Sequence, residues 1–483
     1  MLGVSRLAVS PHAPSFAPSL RLFSNEHMRF RNLTRRREIG ANCYLLESGK
    51  NRVVLDAGMH PKEVGFNALP DFGALPHETA DALFITHAHH DHIGALPVLM
   101  RKQPKSPVFM TEPTGEITSA MLHNSVNVMT SQREEQSIHE YPLFTHRELD
   151  ENRAQYVYRD LERPFEVPNS DLMASFHDAG HIMGSAGIMI RQNGNSLFYT
   201  GDVNFENQTI TRAADFPTEG IDVLVVETTR GTYERPADYS RKGEKERLAA
   251  LIRETFDANG SVLIPVFALG KTQEVMLMLH ELREEGLIPE MPLRIGGLGT
   301  KVTVLYDHYA DRVRRNYPGF RLLEDVSMLV PPRRKRGPGR PQIDYQPRTI
   351  YALSSGMMTE GTTSNSFANK FIDNPRNAVA FVGYTDPLSP GYRLRTAKAG
   401  EKIKLSADLP AVELHARIES FDLSAHATRE QIAEYVEKVK PKKLLMVHGE
   451  EPSQAWFSAR FAETLNRDTE IIRPETHAPI DLW

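Results

Sequence analysis

The chain contains a single cysteine, Cys43, among its 483 residues. An internal disulfide bond is therefore impossible, and a metal site built from several thiolates is excluded as well. The sequence does contain 19 histidines and 62 acidic residues. Any metal ion must consequently be bound by imidazole nitrogens and carboxylate oxygens, which suit zinc and similar divalent ions.

Long apolar runs and a strong basic excess are also missing. No uninterrupted apolar segment approaches the roughly 20 residues that a membrane-spanning helix needs, so we expect a cytoplasmic protein with no membrane partner. The formal net charge of −5 does not indicate a nucleic-acid partner. It does not exclude one either, because bound metal ions supply strong local positive charge.

Acidic residues are absent from the first 24 positions, which contain Arg6, Arg21 and many serines, prolines and alanines. A transit-like segment has such a composition, but no clear Arg-rich amphipathic helix is present. We interpret residues 1–28 as a disordered extension or as a start assigned too early.

From about Phe30 onwards, apolar strands alternate with helices, which is typical of the α/β class. The predicted strands that precede polar residues are 52–55, 82–85, 196–199, 223–226 and 443–447. A second α/β unit lies between them, with predicted helices at 244–256 and 272–284 and predicted strands at 261–266, 350–353 and 378–382. Residues 102–165 contain helical stretches whose order the sequence does not resolve.

The most informative motif is His87-x-His89-x-Asp91-His92, which directly follows the apolar run Ala82-Leu83-Phe84-Ile85. A strand that ends there brings all four side chains into one loop at the edge of a sheet. The alternation separates two roles, since His87 and His89 can face one ion while Asp91 and His92 face a second. The motif therefore predicts a metal site.

Further candidate ligands follow other predicted strands or lie between glycines: His181, Asp202 and His448. Each alone is more often structural. Together with the motif they give two balanced groups, His87, His89 and His181 for one ion and Asp91, His92 and His448 for the other. Asp202 can bridge the two ions, and Asp56 can orient a ligand through a hydrogen bond. This composition predicts a two-metal hydrolytic site, in which water ionises near neutral pH.

These residues resemble the metallo-β-lactamase superfamily, and additional segments are similar to its β-CASP branch of nucleic-acid-processing nucleases. Glu227 in Glu-Thr-Thr-Arg-Gly, His426 in Leu-Ser-Ala-His-Ala and His448 in Val-His-Gly-Glu match the three extra motifs of that branch. The resemblance implies an αββα sandwich with an inserted α/β β-CASP domain. The expected domain ranges are 29–231 and 406–483 for the sandwich and 232–405 for the insertion.

A histidine at the third motif resembles the RNA-processing members. The resemblance thus implies a zinc-dependent ribonuclease, endonucleolytic in mode, with two Zn²⁺ ions (Mn²⁺ as a possible substitute) and RNA as substrate. It also implies that Asp91, Glu227 and His426 are catalytic, and that His426, held by Glu227, donates a proton to the leaving oxygen.

The Pro- and Arg-rich segment at 331–342 is predicted to be an exposed loop. Its cations are candidate RNA contacts: Arg333, Arg334, Lys335, Arg336 and Arg340. A homodimer is left open. Two alternative functions also remain at this point. One is a small-molecule metallo-hydrolase acting on thioesters or lactams, and the other is a catalytically silent RNA-binding β-CASP protein.

Overall fold

A computed structural model of the chain describes residues 27–330, 343–465 and 467–483. Almost all of the predicted extension at 1–28 lies outside this range, although Met28 is buried and begins the first strand. The predicted basic loop at 331–342, with its five candidate RNA contacts, also lies outside the described residues.

The secondary structure alternates strands and helices, as the sequence predicts. Strands β1 to β11 are Met28–Asn32, Tyr44–Ser48, Asn51–Leu55, Ala82–Phe84, Val108–Met110, Tyr156–Tyr158, Phe165–Glu166, Met173–Asp178, Ala186–Gln192, Asn195–Tyr199 and Val223–Glu227. Strands β12 to β21 are Val262–Pro265, Leu293–Ile295, Ile350–Leu353, Ala378–Phe381, Lys402–Ile403, Val412–Glu413, Arg417–Ser420, Lys443–Val447, Glu470–Ile472 and Pro479–Asp481. Helices α1 to α12 are His90–Ile93, Leu96–Lys102, Glu112–Gln136, His146–Asn152, Arg241–Asp257, Lys271–Glu284, Gly297–His308, Leu322–Asp325, Thr363–Ala368, Pro390–Thr396, Arg429–Val439 and Glu451–Thr464. Short 3₁₀ turns lie at Gly65–Ala68, Phe72–Ala74 and Arg153–Gln155.

Two seven-stranded sheets pack face to face. Their strand orders are β21-β1-β2-β3-β4-β5-β6 and β20-β19-β11-β10-β9-β8-β7. The aromatic rings of Tyr44 and Phe84 from the first sheet meet Tyr199 and Phe176 from the second, with centroids 5.5 and 6.2 Å apart. Helices α11 and α12 cover the outer face of the second sheet, and α2 and α3 lie on the outer side of the first. The expected αββα sandwich is confirmed.

A third sheet, of order β13-β14-β12-β15-β18, forms the inserted domain and is parallel throughout. Alternate residues of its strands pack on opposite faces. Ile264 and Ala352 lie against α5 and α6, whereas Leu263 and Tyr351 lie against α9. Helices on both faces explain why these strands read as continuous apolar runs. Strand β18 joins this sheet although it follows residue 405, and the domain boundaries stay predictions.

The inserted domain is anchored to the sandwich domain through Glu274 of α6, which is 1% exposed. Its carboxylate accepts hydrogen bonds from the backbone N–H groups of Thr209, at 2.6 Å, and Ile210, at 2.9 Å. Arg241 of α5 forms an ion pair with the same carboxylate. Burial alone would raise the pKa of Glu274, but Arg241, Lys271 and the two N–H groups outweigh burial and lower it to about 2.

Within the described ranges, every helix is too short or too polar to cross a lipid bilayer.

We predict that Glu274→Gln destabilises the protein at pH 7 by about 3 kcal/mol, because a buried pair loses one charge. The contribution of the wild-type carboxylate is fully present above its unfolded pKa of 4.5 and is lost as the pH falls towards 2. Urea unfolding at pH 7 and at lower pH measures both effects. Glu281→Gln is the control, since Glu281 lies on the same helix and pairs with Lys245 within the inserted domain. Equal stability of the two variants at pH 7 would contradict the assigned role.

Candidate metal centre

The polar residues predicted as ligands lie at the ends of neighbouring strands. Asp56 follows β3 and His87 lies just beyond β4, which pair in parallel. Asp202 follows β10, Glu227 ends β11 and His448 follows β19, and these three strands are also parallel to one another. Because parallel strands end at the same edge of a sheet, the two sheets bring all five side chains to one edge of the sandwich.

The backbone at this edge adopts conformations that side chains rarely tolerate. Asp56 and His448 have positive φ angles of 58° and 49°. Gly201, directly before Asp202, has φ of +55°, and a Cβ atom there would lie 2.8 Å from the Cβ of Thr86. For the two non-glycine residues, Asp56 and His448, such a conformation costs of order 1–3 kcal/mol each and persists where the surrounding structure fixes it.

The first group of side chains is His87, His89, His181 and Asp202, one ligand atom of each lying within 4.8 Å of the others. The Nδ1 atom of His89 is 3.1 Å from the Nε2 atoms of both His87 and His181. Oδ2 of Asp202 is 3.4 Å from Nε2 of His87 and 3.6 Å from Nε2 of His181. Ligands bound tetrahedrally to zinc at about 2.0–2.1 Å stand about 3.3 Å apart, so the spacing fits such an ion.

The second group is Asp91, His92 and His448. Oδ2 of Asp91 lies 3.3 Å from Nε2 of His448. The other oxygen of Asp202, Oδ1, lies 3.4 Å from Nε2 of His92 and 3.0 Å from Nδ1 of His448. The carboxylate of Asp202 thus contacts both groups. In contrast to the predicted loop, Asp91 and His92 lie on the short helix α1.

Asp202 Oδ1 supplies the test of whether a cation fits. This atom is buried and, although Nδ1 of His448 lies 3.0 Å away, it makes no well-aligned hydrogen bond with any described residue. A buried carboxylate oxygen that lacks a well-aligned hydrogen bond is costly, and a cation between the two groups would satisfy it. The nitrogen and oxygen donors around it suit a divalent metal ion.

Burial and neighbouring charges shift the histidine pKa values differently in the two groups. Burial, reinforced by His87, lowers the pKa of His89 to about 3, and burial also lowers the pKa of His181. These imidazoles are neutral at pH 7, as a metal ligand must be. Burial alone would lower the pKa of His448, but Asp202 and Asp91 outweigh it and raise it to about 10. A cation at this face would take the place of that proton.

Asp56 lies behind the second group and orients it. Its carboxylate is 2.8 Å from Nδ1 of His92, which leaves Nε2 to face Asp202. The same carboxylate accepts hydrogen bonds from the Thr86 N–H, at 2.8 Å, and from the Tyr199 hydroxyl, at 2.9 Å. Such a partner fixes the tautomer and ring orientation of a ligating histidine.

Glu227 and His426 form a third cluster beside the first group. Nδ1 of His426 lies 3.1 Å from Oε1 of Glu227, which also accepts a hydrogen bond from the Val203 N–H at 2.8 Å. The rings of His426 and His181 are 4.6 Å apart. Burial alone would lower the pKa of His426, but Glu227 outweighs burial and raises it. The imidazole is therefore biased towards its protonated form.

Comparison with known proteins gives matches to three family models. Residues 36–126 match "Metallo-beta-lactamase superfamily", residues 272–394 match "Beta-Casp domain", and residues 411–474 match "Zn-dependent metallo-hydrolase RNA specificity domain". The chain belongs to the metallo-β-lactamase superfamily, in its β-CASP branch. The first match contains the histidine motif, and the third contains His426 and His448.

Three curated β-CASP relatives show the extent of the similarity. The chain is 27% identical to transcription termination factor FttA of Methanocaldococcus jannaschii, covering 92% of this chain and 69% of the relative. It is 28% identical to endoribonuclease ysh1 of Schizosaccharomyces pombe, covering 94% of this chain and 59% of the relative. It is 26% identical to an RNase J-like protein of M. jannaschii, covering 92% and 97%. A solved protein of unknown function from Enterococcus faecalis has the same fold, with a TM-score of 0.55, 14% identity, and coverage of 94% and 100%.

The three clusters open onto a cleft of about 2360 Å³ between the lactamase and β-CASP domains. His89, His181, His426 and His448 line it from the lactamase side. The β-CASP side contributes apolar and aromatic side chains, among them Phe267, Met357, Tyr384 and Tyr392. A polymer could thus lie across the candidate centre between the two domains.

All seven predicted ligand positions, together with Asp56, Glu227 and His426, converge on this edge. Sequence reasoning missed the residues that support them. Thr86 and Tyr199 bind Asp56, and Thr229 Oγ1 lies 3.2 Å from Nδ1 of His448. Thr86 and Thr229 adjoin motif residues, which is a weak signal. Tyr199 gives no signal in the sequence beyond its position at a strand end.

We predict that Asp56→Asn weakens metal binding about 10- to 100-fold, because His92 loses its orienting carboxylate. Competition with a chelator measures the change. Asp222→Asn is the control, since Asp222 also pairs with a cation, Lys442, but precedes β11 at the end remote from the ligands. Equal affinities for the wild type and Asp56→Asn would show that Asp56 does not support the metal ligands.

Proposed function

We propose that this β-CASP protein is a zinc-dependent ribonuclease that cleaves RNA phosphodiester bonds endonucleolytically. One arrangement carries the proposal: two groups of ligand side chains share the Asp202 carboxylate, and the Glu227–His426 pair stands beside them at the base of an interdomain cleft. Hydrolysis of a phosphodiester needs a nucleophile, charge stabilisation and a proton for the leaving oxygen. The arrangement has a candidate for each.

The comparisons support RNA as the substrate. The segment with His426 and His448 matches an RNA specificity domain, and relatives along most of the chain are named as an endoribonuclease and an RNase J-like protein. The Drosophila melanogaster relative is named cleavage and polyadenylation specificity factor 73, and the match covers 64% of it.

The ligand side chains would hold two cations, one at His87, His89 and His181 and one at Asp91, His92 and His448, with Asp202 between them. Zinc ions there would acidify water towards neutral pH and offset negative charge on the phosphate. Mn²⁺ is the proposed substitute. We propose that Asp91 also contributes to catalysis through its place in the second group, facing the cleft.

His426 would supply the proton. Its Nδ1 atom is held by Glu227, so Nε2 is left to exchange a proton with the substrate. The Glu227 carboxylate favours the charged imidazolium and fixes the ring, so a protonated His426 can donate to the leaving oxygen. This role requires no movement of Glu227, whose Oε1 is already bound by the Val203 N–H.

The ribonuclease is favoured over both alternatives. A small-molecule hydrolase for thioesters or lactams has no evident need for a cleft of this volume or for an inserted domain. A catalytically silent RNA-binding protein need not retain the ligands, yet every predicted ligand position is filled and the side chains converge. The homodimer and the cytoplasmic location stay predictions.

We predict that His426→Ala retains its bound metal and lowers the turnover number on RNA about 10²- to 10⁴-fold, because the leaving oxygen loses its acid. Elemental analysis gives the metal content, and cleavage of an end-labelled RNA gives the rate. His415→Ala is the control, an exposed histidine that follows β17 and pairs with Glu413.

The wild type should be tested in parallel on RNA, single-stranded DNA and a thioester. Turnover confined to the thioester would overturn the ribonuclease proposal. An unchanged RNA rate in His426→Ala would instead remove only the acid role of that residue. RNA labelled separately at each end would then distinguish internal cuts from stepwise trimming.

A further inference from the structure

The segments that join the two domains contain ion pairs that the proposed function does not use. The outgoing segment, residues 228–240, connects β11 to α5. The return segment, residues 421–428, connects β18 to α11 and contains His426. Because the proposed proton donor lies on a connection between domains, whatever holds the return segment also sets the position of that imidazole.

Asp422, four residues before His426, joins the two segments. Its carboxylate accepts both a 3.0 Å and a 2.9 Å hydrogen bond from Nη2 of Arg230, and a 2.9 Å hydrogen bond from Nε of Arg235. The three side chains are only 10–13% exposed. Arg230 also stacks over Tyr233 and Arg235 over Tyr239, with distances of 4.5 and 3.9 Å to the ring centroids. The guanidinium groups are therefore held on two sides.

The backbone beside Asp422 is bound by the β-CASP domain and the outgoing segment. The Asp422 N–H donates to Glu244 at 2.8 Å, and the Asp422 carbonyl accepts from the Tyr239 hydroxyl at 3.0 Å. The buried ammonium of Lys271, at the start of α6, donates to the carbonyl of Leu423. The first half of the return segment is thus fixed to the β-CASP side.

The second half is fixed to the lactamase side. Nδ1 of His181 lies 2.9 Å from the carbonyl of Ala425, and the Ala427 N–H donates to the Val203 carbonyl at 2.7 Å. Arg230 spans both halves, because its Nη1 also lies 3.5 Å from the His426 carbonyl. A shift of Asp422 would therefore move the backbone on both sides of His426.

We propose that Asp422 is a positioning residue, which sets the place of His426 by tying the return segment to Arg230 and Arg235 of the outgoing segment. The inference rests on the proposed function, since it assigns His426 the role of acid. Asp422 is suited to isolate this effect because, as an anion, it does not bind phosphate itself. Arg230 could contact RNA directly, and its replacement would confuse the two roles.

The test is Asp422→Asn, which keeps the size of the side chain and removes its charge. Misplacing an acid by about 1 Å can cost about 100-fold, so we expect kcat on RNA to fall 10- to 100-fold with KM changed less than threefold. Hydrolysis of bis(4-nitrophenyl) phosphate should change less than threefold, because nitrophenolate leaves without a proton. Metal content should stay equal to that of the wild type.

Hydrogen–deuterium exchange gives a readout independent of activity. Peptides that cover 421–427 should exchange faster in Asp422→Asn than in the wild type, while peptides that cover 87–92 stay unchanged. Asp222→Asn, the same chemical change in another ion-paired aspartate, should alter neither exchange at 421–427 nor the ratio of the two substrates. Tyr239→Phe, which removes only the hydroxyl that binds the Asp422 carbonyl, should give a smaller change in the same direction.

An unchanged kcat on RNA would overturn the proposal. So would equal losses on both substrates in Asp422→Asn and Tyr239→Phe, because a general disturbance of the centre does not depend on the leaving group. If Asp422→Asn fails to fold, Tyr239→Phe decides by the same criteria. Failure of the proposed function would look different, since the wild type itself would then leave RNA uncut.

Discussion

Asp202 is a carboxylate that is 2% exposed, with one oxygen facing each of two groups of histidines. An anion in this position is stable only if positive charge surrounds it, because burial removes its hydration. His448 and His92 lower the pKa of Asp202 against the opposing effect of burial, so the group stays ionised. A pair of divalent cations would meet the same demand more completely. The surrounding fold places six further ligand side chains around this one carboxylate.

To bring these ligand side chains together, the fold uses strands from both sheets and from both ends of the chain. His448 and Asp91 are 357 residues apart in sequence, yet their side chains lie within 3.3 Å. The inserted β-CASP domain lies between these two parts of the chain. Glu227 and His426 occupy the points where the chain leaves the lactamase domain and where it returns. The acid pair is consequently at the junction of the domains, at the base of the cleft that the insertion creates.

Much of the fold could be predicted from local patterns. Strands β14 and β19 have the predicted bounds, because Ile350–Leu353 and Lys443–Val447 are short apolar runs. Helix α3, with 25 residues, was not resolved within the mixed region 102–165. Its buried face includes Thr114, Thr118 and Ser119 beside Leu122, so the apolar period that marks a helix is interrupted by small polar residues. Thr114 faces the core because its hydroxyl donates to the Gly184 carbonyl, and Ser119 accepts a hydrogen bond from Arg153. No local pattern reveals these distant partners.

The sequence by itself determined the chemistry of the candidate centre. His87, His89, Asp91 and His92 fall within six consecutive positions, and strand ends mark Asp202 and His448, so donor type and approximate place are local properties. Only the tertiary structure decided how these donors are supported. Tyr199 meets Asp56 across 143 residues, and Arg230 meets Asp422 across 192. Neither pair has a signature in the sequence. An ion pair or a hydrogen bond between distant residues depends on where the sheets and the two domain connections place those residues in space.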